Sequence, residues 1–158
     1  MSAYSDAVRM LARRELSVTQ LRERLREREH ATGDIEDAIA RLSASGQLDD
    51  RRVARAYART AATVKGRGRV RVQQELHTMG IARDVAAEAI AEVFGDVDER
   101  ALIDKAIQKK LRTTGARAGG RKLTLQERGR LYQYLMRQGF TPASIAAALH
   151  RTRPVDGE

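Results

Sequence analysis

The chain has 158 residues, room for one ordinary domain or a few small repeated units and too few for a multidomain enzyme. Thirty Lys and Arg against 21 Asp and Glu leave a net charge of +9 at neutral pH, while 42% hydrophobic residues take the chain out of the disordered class. Zero cysteines exclude a disulfide framework, a thiolate zinc site and a cysteine nucleophile, and point to the cytoplasm. The longest stretch free of charge, the 13 positions between Arg137 and Arg151, falls short of the roughly 20 apolar residues that cross a bilayer, so no membrane is expected as partner. Met1–Met10 already carries Asp6 and Arg9 and has no signal-peptide pattern, so the mature protein is expected to start at Met1.

Twenty-five alanines, two prolines and charge recurring at helical spacing predict an all-α fold. In chain order, a helix around Ala7, Met10 and Leu11 leads into a capping box at Ser17-x-x-Gln20 and a second helix through Leu21 and Leu25. Asp34 is expected to cap a third helix carrying Ile35, Ala38 and Ile39. The spacing of those five anchors recurs without a gap at Val72, Leu76, Ala86, Ala89 and Ile90, and again at Leu131, Leu135, Ile145, Ala148 and Leu149. Leading helices precede the later pairs at Val53/Ala56/Tyr57 and at Leu102/Ile103/Ala106/Ile107. Gly80 and Gly139, four residues past the second anchor, read as left-handed helix ends. Glu29 stands at that position in the first unit, so a looser turn is expected there. Thr141-Pro142 caps the last helix. The result is three tandem three-helix repeats, 1–48, 49–95 and 96–153, with a tail 154–158. Units that touch only their neighbours predict an elongated molecule.

Catalytic chemistry finds no foothold. His30, His77 and His150 lie in different repeats without metal-binding spacing, so no metal and no cofactor is expected. Asp49 and Asp50 are adjacent, which suits helix capping better than paired acid and base work. Gly66-Arg67-Gly68 lacks the P-loop pattern and a preceding strand.

Charge is graded along the chain, at 0, +3 and +6 for residues 1–48, 49–95 and 96–158. Lys65, Arg67, Arg69 and Arg71 alternate with Gly66 and Gly68, which would let a loop come close to a polyanion. The third repeat places Lys109, Lys110, Arg112, Arg117, Arg121 and Lys122 at the corresponding connection, where Thr113 to Lys122 reads as a mobile loop. These ten cations are the candidate nucleic-acid contacts, unpaired by nearby acids. Arg22, Arg24, Arg26 and Arg28 are interleaved with Glu23, Glu27 and Glu29 and read as a salt-bridged, exposed helix face. Tyr57 falls on an apolar stripe and is expected in the core, whereas at least one of Tyr132 and Tyr134 should be exposed.

Several stretches together resemble the RecX family, bacterial modulators of the RecA recombinase. They are Leu11-Ala-Arg-Arg-Glu-Leu-Ser17 with Gln20-Leu21 and Leu25; Gly46-Gln-Leu48-Asp49-Asp50-Arg51 with Val53 and Tyr57; Gly66-x-Gly68 through Arg71, Glu75, Leu76, Gly80 and Ile81; and Arg137-Gln-Gly139-Phe140. The chain departs from the family at Val53, Arg67 and Arg69, and in carrying Glu29 for a glycine. The resemblance implies a curved array of three-helix repeats, a monomer without enzymatic activity, lying in the groove of a RecA filament on single-stranded DNA. It implies inhibition of recombinase, ATPase and coprotease activity by blocking filament extension or promoting disassembly. The alternative reading is a stand-alone helical nucleic-acid-binding protein.

Overall fold

A computed structural model describes residues 1–113 and 123–151, and all the regular structure among them is helical. Among the described residues nine helices follow one another: α1 (Ala3–Arg13), α2 (Val18–Glu27), α3 (Thr32–Ala44), α4 (Asp50–Thr63), α5 (Arg69–Thr78), α6 (Arg83–Asp96), α7 (Glu99–Thr113), α8 (Leu125–Gln138) and α9 (Pro142–Arg151). They form three tandem three-helix repeats. The chain divides into two compact units, one of Met1–Tyr57 with Gln74–Ala89 and the other of Ala58–Gln73 with Ile90–Glu158.

Fourteen of the fifteen repeated anchors are buried, and Leu149 is partly so. In the first repeat α1 packs on α2 and α3 around Met10, Leu16, Leu21, Leu25, Ile35 and Leu42. In the third, α7 packs on α8 and α9 around Ile103, Ile107, Leu131, Leu135, Phe140 and Ile145. Removing side chains of this size from water stabilises a core by about 2 kcal/mol each. The buried stripe of α4 is Val53, Ala54, Ala58, Ala61 and Ala62, whereas Ala56 is exposed. With alanines on both faces of that helix, composition could not say which ones turn inward.

The caps settle where the helices begin. Ser17 and Gln20 form the expected capping box, and Thr124 with Glu127 forms a second one at α8. Thr141 accepts from the Ser144 N–H at 3.3 Å. Asp34 does not cap α3; Ala31 holds that position without a side-chain bond, and Asp34 lies in the first turn, where its charge suits the helix dipole.

The three turns inside the helix pairs are alike. His30, Ile81 and Phe140 donate from N–H to the carbonyls of Leu25, Leu76 and Leu135, while Glu29, Gly80 and Gly139 donate to Arg26, His77 and Met136. That pair of bonds is the Schellman closure. The looser turn expected at Glu29 is therefore corrected: Glu29 takes the left-handed conformation at φ 63°, as Gly80 does at 78° and Gly139 at 96°.

Two of these turns receive the start of another helix. Ser17, buried at the start of α2, donates from Oγ to the Met79 carbonyl at 2.5 Å, and Thr19 lies against Gly80 so closely that a Cβ on that glycine would stand 2.2 Å from its Oγ1. One repeat later, the Gly68 N–H donates to the Gln138 carbonyl at 2.7 Å and the Val70 N–H to the Gly139 carbonyl at 3.0 Å. A Cβ on Gly68 would lie 2.5 Å from the Gly139 backbone, and one on Gly139 would lie 2.3 Å from Arg71 Cβ.

Candidate nucleic-acid interface

Asp49 and Asp50 act as caps and ties. Asp49 Oδ1 accepts from the Arg51 and Arg52 N–H groups at 3.0 and 3.3 Å, and Asp50 Oδ1 accepts from the Val18 N–H at 2.9 Å, joining the start of α4 to the start of α2. Tyr57 is half-buried rather than fully in the core, and its hydroxyl bonds to Glu75. A phenol on an apolar stripe keeps its polar end near a partner, which is the reason for the partial exposure. Tyr132 is exposed and Tyr134 lies against the third repeat's core.

Seven of the ten candidate cations are described. Lys65 follows the end of α4, Arg67 donates its N–H to the Ala61 carbonyl, and Arg69 and Arg71 open α5. Lys109, Lys110 and Arg112 lie on the last turns of α7. Arg117, Arg121 and Lys122, with the rest of 114–122 and the tail 154–158, lie outside the described residues, while Thr113, read as the start of the mobile loop, is the last residue of α7.

Two expectations about this set change. Gly68 is buried in the contact with Gly139, so its missing side chain serves a contact within the protein and not the approach of a polyanion; Gly66, at φ 65° with open space where a Cβ would stand, makes the turn. Nor is the group unpaired: Arg69 Nε lies 3.4 Å from Glu99 Oε2 at the start of α7, and its guanidinium sits 5.2 Å from the Phe94 ring centre. Arg71 reaches the Arg137 carbonyl at 3.4 Å, and the Lys110 ammonium stands 5.1 Å from the Tyr134 ring centre. Arg69 is thus tied to one end of α7 while Lys109, Lys110 and Arg112 occupy the other, about 15 Å away at 1.5 Å per residue. Cations at the end of α7 suit its dipole, whereas Arg69 and Arg71 oppose the dipole of α5. The Val70 N–H at this helix start is already taken by the Gly139 carbonyl, so a phosphate there would be met by the arginine side chains.

The reading of Arg22–Arg28 as a face bridged within its own helix is also corrected. Arg22 reaches across to Glu36 on α3 with two bonds of 2.8 and 3.2 Å. This hydrogen bond, more than the charge, holds the Glu36 carboxyl below the usual carboxylate range and raises Arg22. Arg28 binds the buried Asp6 at 2.7 Å, and His30 Nε2 lies 3.0 Å from the other Asp6 oxygen.

Sequence reasoning passed over a groove of about 530 Å³ between α1 and α2, into which Arg9, Arg13, Arg14, Arg24 and Arg28 converge. Its signal was available in the i, i+4 spacing of 9 with 13 and of 24 with 28, which puts each pair on one helix face. The zero net charge of the first repeat hid it. Among the described residues there is no cluster of His, Asp and Glu fit for a metal. No helix among them is long and apolar enough to cross a membrane.

Comparison with known proteins gives a consistent result. The first three-helix domain of RecX matches residues 3–42 and the second matches residues 49–90. The regulatory protein RecX of Halorhodospira halophila is 32% identical over 142 residues, covering 90% of this chain and 83% of its own length. That of Haemophilus influenzae is 27% identical over 145 residues, covering 91% and 90%. The crystal structure of RecX from Lactobacillus salivarius superposes with a TM-score of 0.80 at 17% identity, covering 95% of this chain and 94% of that one.

Proposed function

Because the chain belongs to the RecX family of regulatory proteins, we propose that it binds the filament RecA forms on single-stranded DNA and lowers its recombinase, ATPase and coprotease activity. Its mode of action is binding that blocks filament extension or promotes disassembly, with no bond made or broken. The observation that carries this reading is a family match running through nearly the whole chain, joined to a set of cations in the unit that holds α7 and α8.

Lys65, Arg67, Arg69, Arg71, Lys109, Lys110 and Arg112 are proposed as phosphate contacts, together with Arg117, Arg121 and Lys122. Arg69 and Arg71 support it by standing at a helix start, where a bound phosphate relieves the repulsion they otherwise create. The three repeats, 1–48, 49–95 and 96–153, act as linked binding modules of a cytoplasmic monomer, and linkage raises the effective concentration of each for its own contact.

The test is RecA's ATP hydrolysis on single-stranded DNA with increasing amounts of this protein. Suppression is expected. Replacing Lys65, Arg67, Arg69 and Arg71 by Ala should reduce the salt slope of single-strand binding by up to about 2.8, from roughly 0.7 per phosphate neutralised. Unchanged hydrolysis, with equal affinity for DNA whether or not RecA is present, would overturn the reading in favour of a stand-alone nucleic-acid-binding protein.

A further inference from the structure

The groove between α1 and α2 belongs to none of the contacts proposed above. Two helices bring arginines to its opposite walls, Arg9 and Arg13 on α1, Arg24 on α2 and Arg28 at the cap that ends it, and Met10 lines the groove with them. Arg28 is engaged with Asp6, whereas Arg9, Arg13 and Arg24 make no ion pair among the described residues. Glu23 and Glu27 line the same groove and also make none. Like charges held across a concave wall focus a positive potential, and an anion entering there is attracted by both walls at once.

We infer that this groove binds an acidic peptide segment of a protein partner, its carboxylates gripped by the forked guanidinium groups of the two walls. The lining cations are all arginine, whose planar fork matches a carboxylate with two parallel bonds, as the ammonium of lysine does not. Arginines four apart on a helix stand about 6 Å apart along its axis, close to the roughly 6.6 Å between same-side residues of an extended peptide. Glu23 and Glu27 decide against a nucleic-acid strand. Every link of such a strand carries a phosphate, and a phosphate set against these carboxylates is repelled. A peptide can place an amide or a cation at those points, and Glu23 and Glu27 then contribute to choosing the partner. The inference concerns a different surface from the proposed phosphate contacts and stands whether or not the partner is RecA.

The experiment measures binding of the full chain to two fluorescein-labelled probes of equal net charge, a peptide whose glutamates are interspersed with glutamines and an oligo-dT, at about 50 mM salt. Arg13→Gln with Arg24→Gln removes one fork from each wall without breaking an internal ion pair. This variant should lose about tenfold more affinity for the peptide than for oligo-dT. A second variant, Arg13→Lys with Arg24→Lys, keeps the charge and should lose part of the peptide affinity while holding that for oligo-dT. Circular dichroism of both variants should match the parent. Absence of peptide binding by the parent, or an equal loss for both probes, overturns the inference. A greater loss for oligo-dT does so as well, and assigns the groove to nucleic acid.

Discussion

At Ser17 a side chain joins one repeat to the turn of the next, whereas at Gly68, the equivalent position one repeat later, the backbone does so. The hydroxyl of Ser17 accepts the Gln20 N–H and donates to the Met79 carbonyl. Gly68 has no side chain, so its own N–H reaches the Gln138 carbonyl and its Cα comes up against the Gly139 backbone. The repeat conserves where the contact falls while leaving its chemistry free, and the two solutions differ in what they tolerate. A hydroxyl can be trimmed at the cost of its bonds. A backbone contact leaves no atom to trim, so any added carbon must displace main chain.

The largest effect separating the two is expected at Gly139→Ala. The left-handed conformation costs about 1–2 kcal/mol for a residue with a Cβ, and the clash with Arg71 adds about 1–3 kcal/mol, so about 3 kcal/mol of stability should be lost in urea denaturation. A loss below about 1 kcal/mol would mean that the backbone contact gives way easily. Ser17→Ala comes next. It removes the cap bond and leaves the Met79 carbonyl short of a donor, for an expected loss of about 2 kcal/mol by the same measurement. If alanine were neutral there, the side-chain contact would be incidental to the joint.

The smallest effect has the opposite sign. Glu29 has the turn geometry of Gly80 and Gly139 but is exposed, so it bears only the conformational strain. Glu29→Gly should raise stability by about 0.5–1 kcal/mol, the left-handed penalty less the entropy glycine loses on folding. Destabilisation by this change would show that the Glu29 side chain does more than endure its backbone.

The repeat was legible because apolar anchors must recur wherever the same three helices pack, and Leu21, Val72 and Leu131 occupy one position in three cores. The turn at Glu29 is not legible because no glycine marks it, and the hydrogen-bond pattern alone holds the left-handed conformation there. The role of Gly68 is equally hidden, since nothing within a few residues announces that Gly139 lies against it. The arginine groove was hidden by counting. Eight basic and eight acidic residues in the first repeat balance in sum, yet Arg9, Arg13 and Arg24 face one groove while Glu36 is held by Arg22 and Glu15 by Arg52.

A joint in which a helix start meets a different surface, the turn of the next pair, is a connection that can repeat without closing, and such connections build polymers. The turn at residues 26–30 has the same hydrogen-bonded shape as the two that receive a helix start. At Gly80 the seated helix start leaves no room for a Cβ, so the turn at Glu29, which carries a whole side chain, is not shaped to take a helix start in the same way.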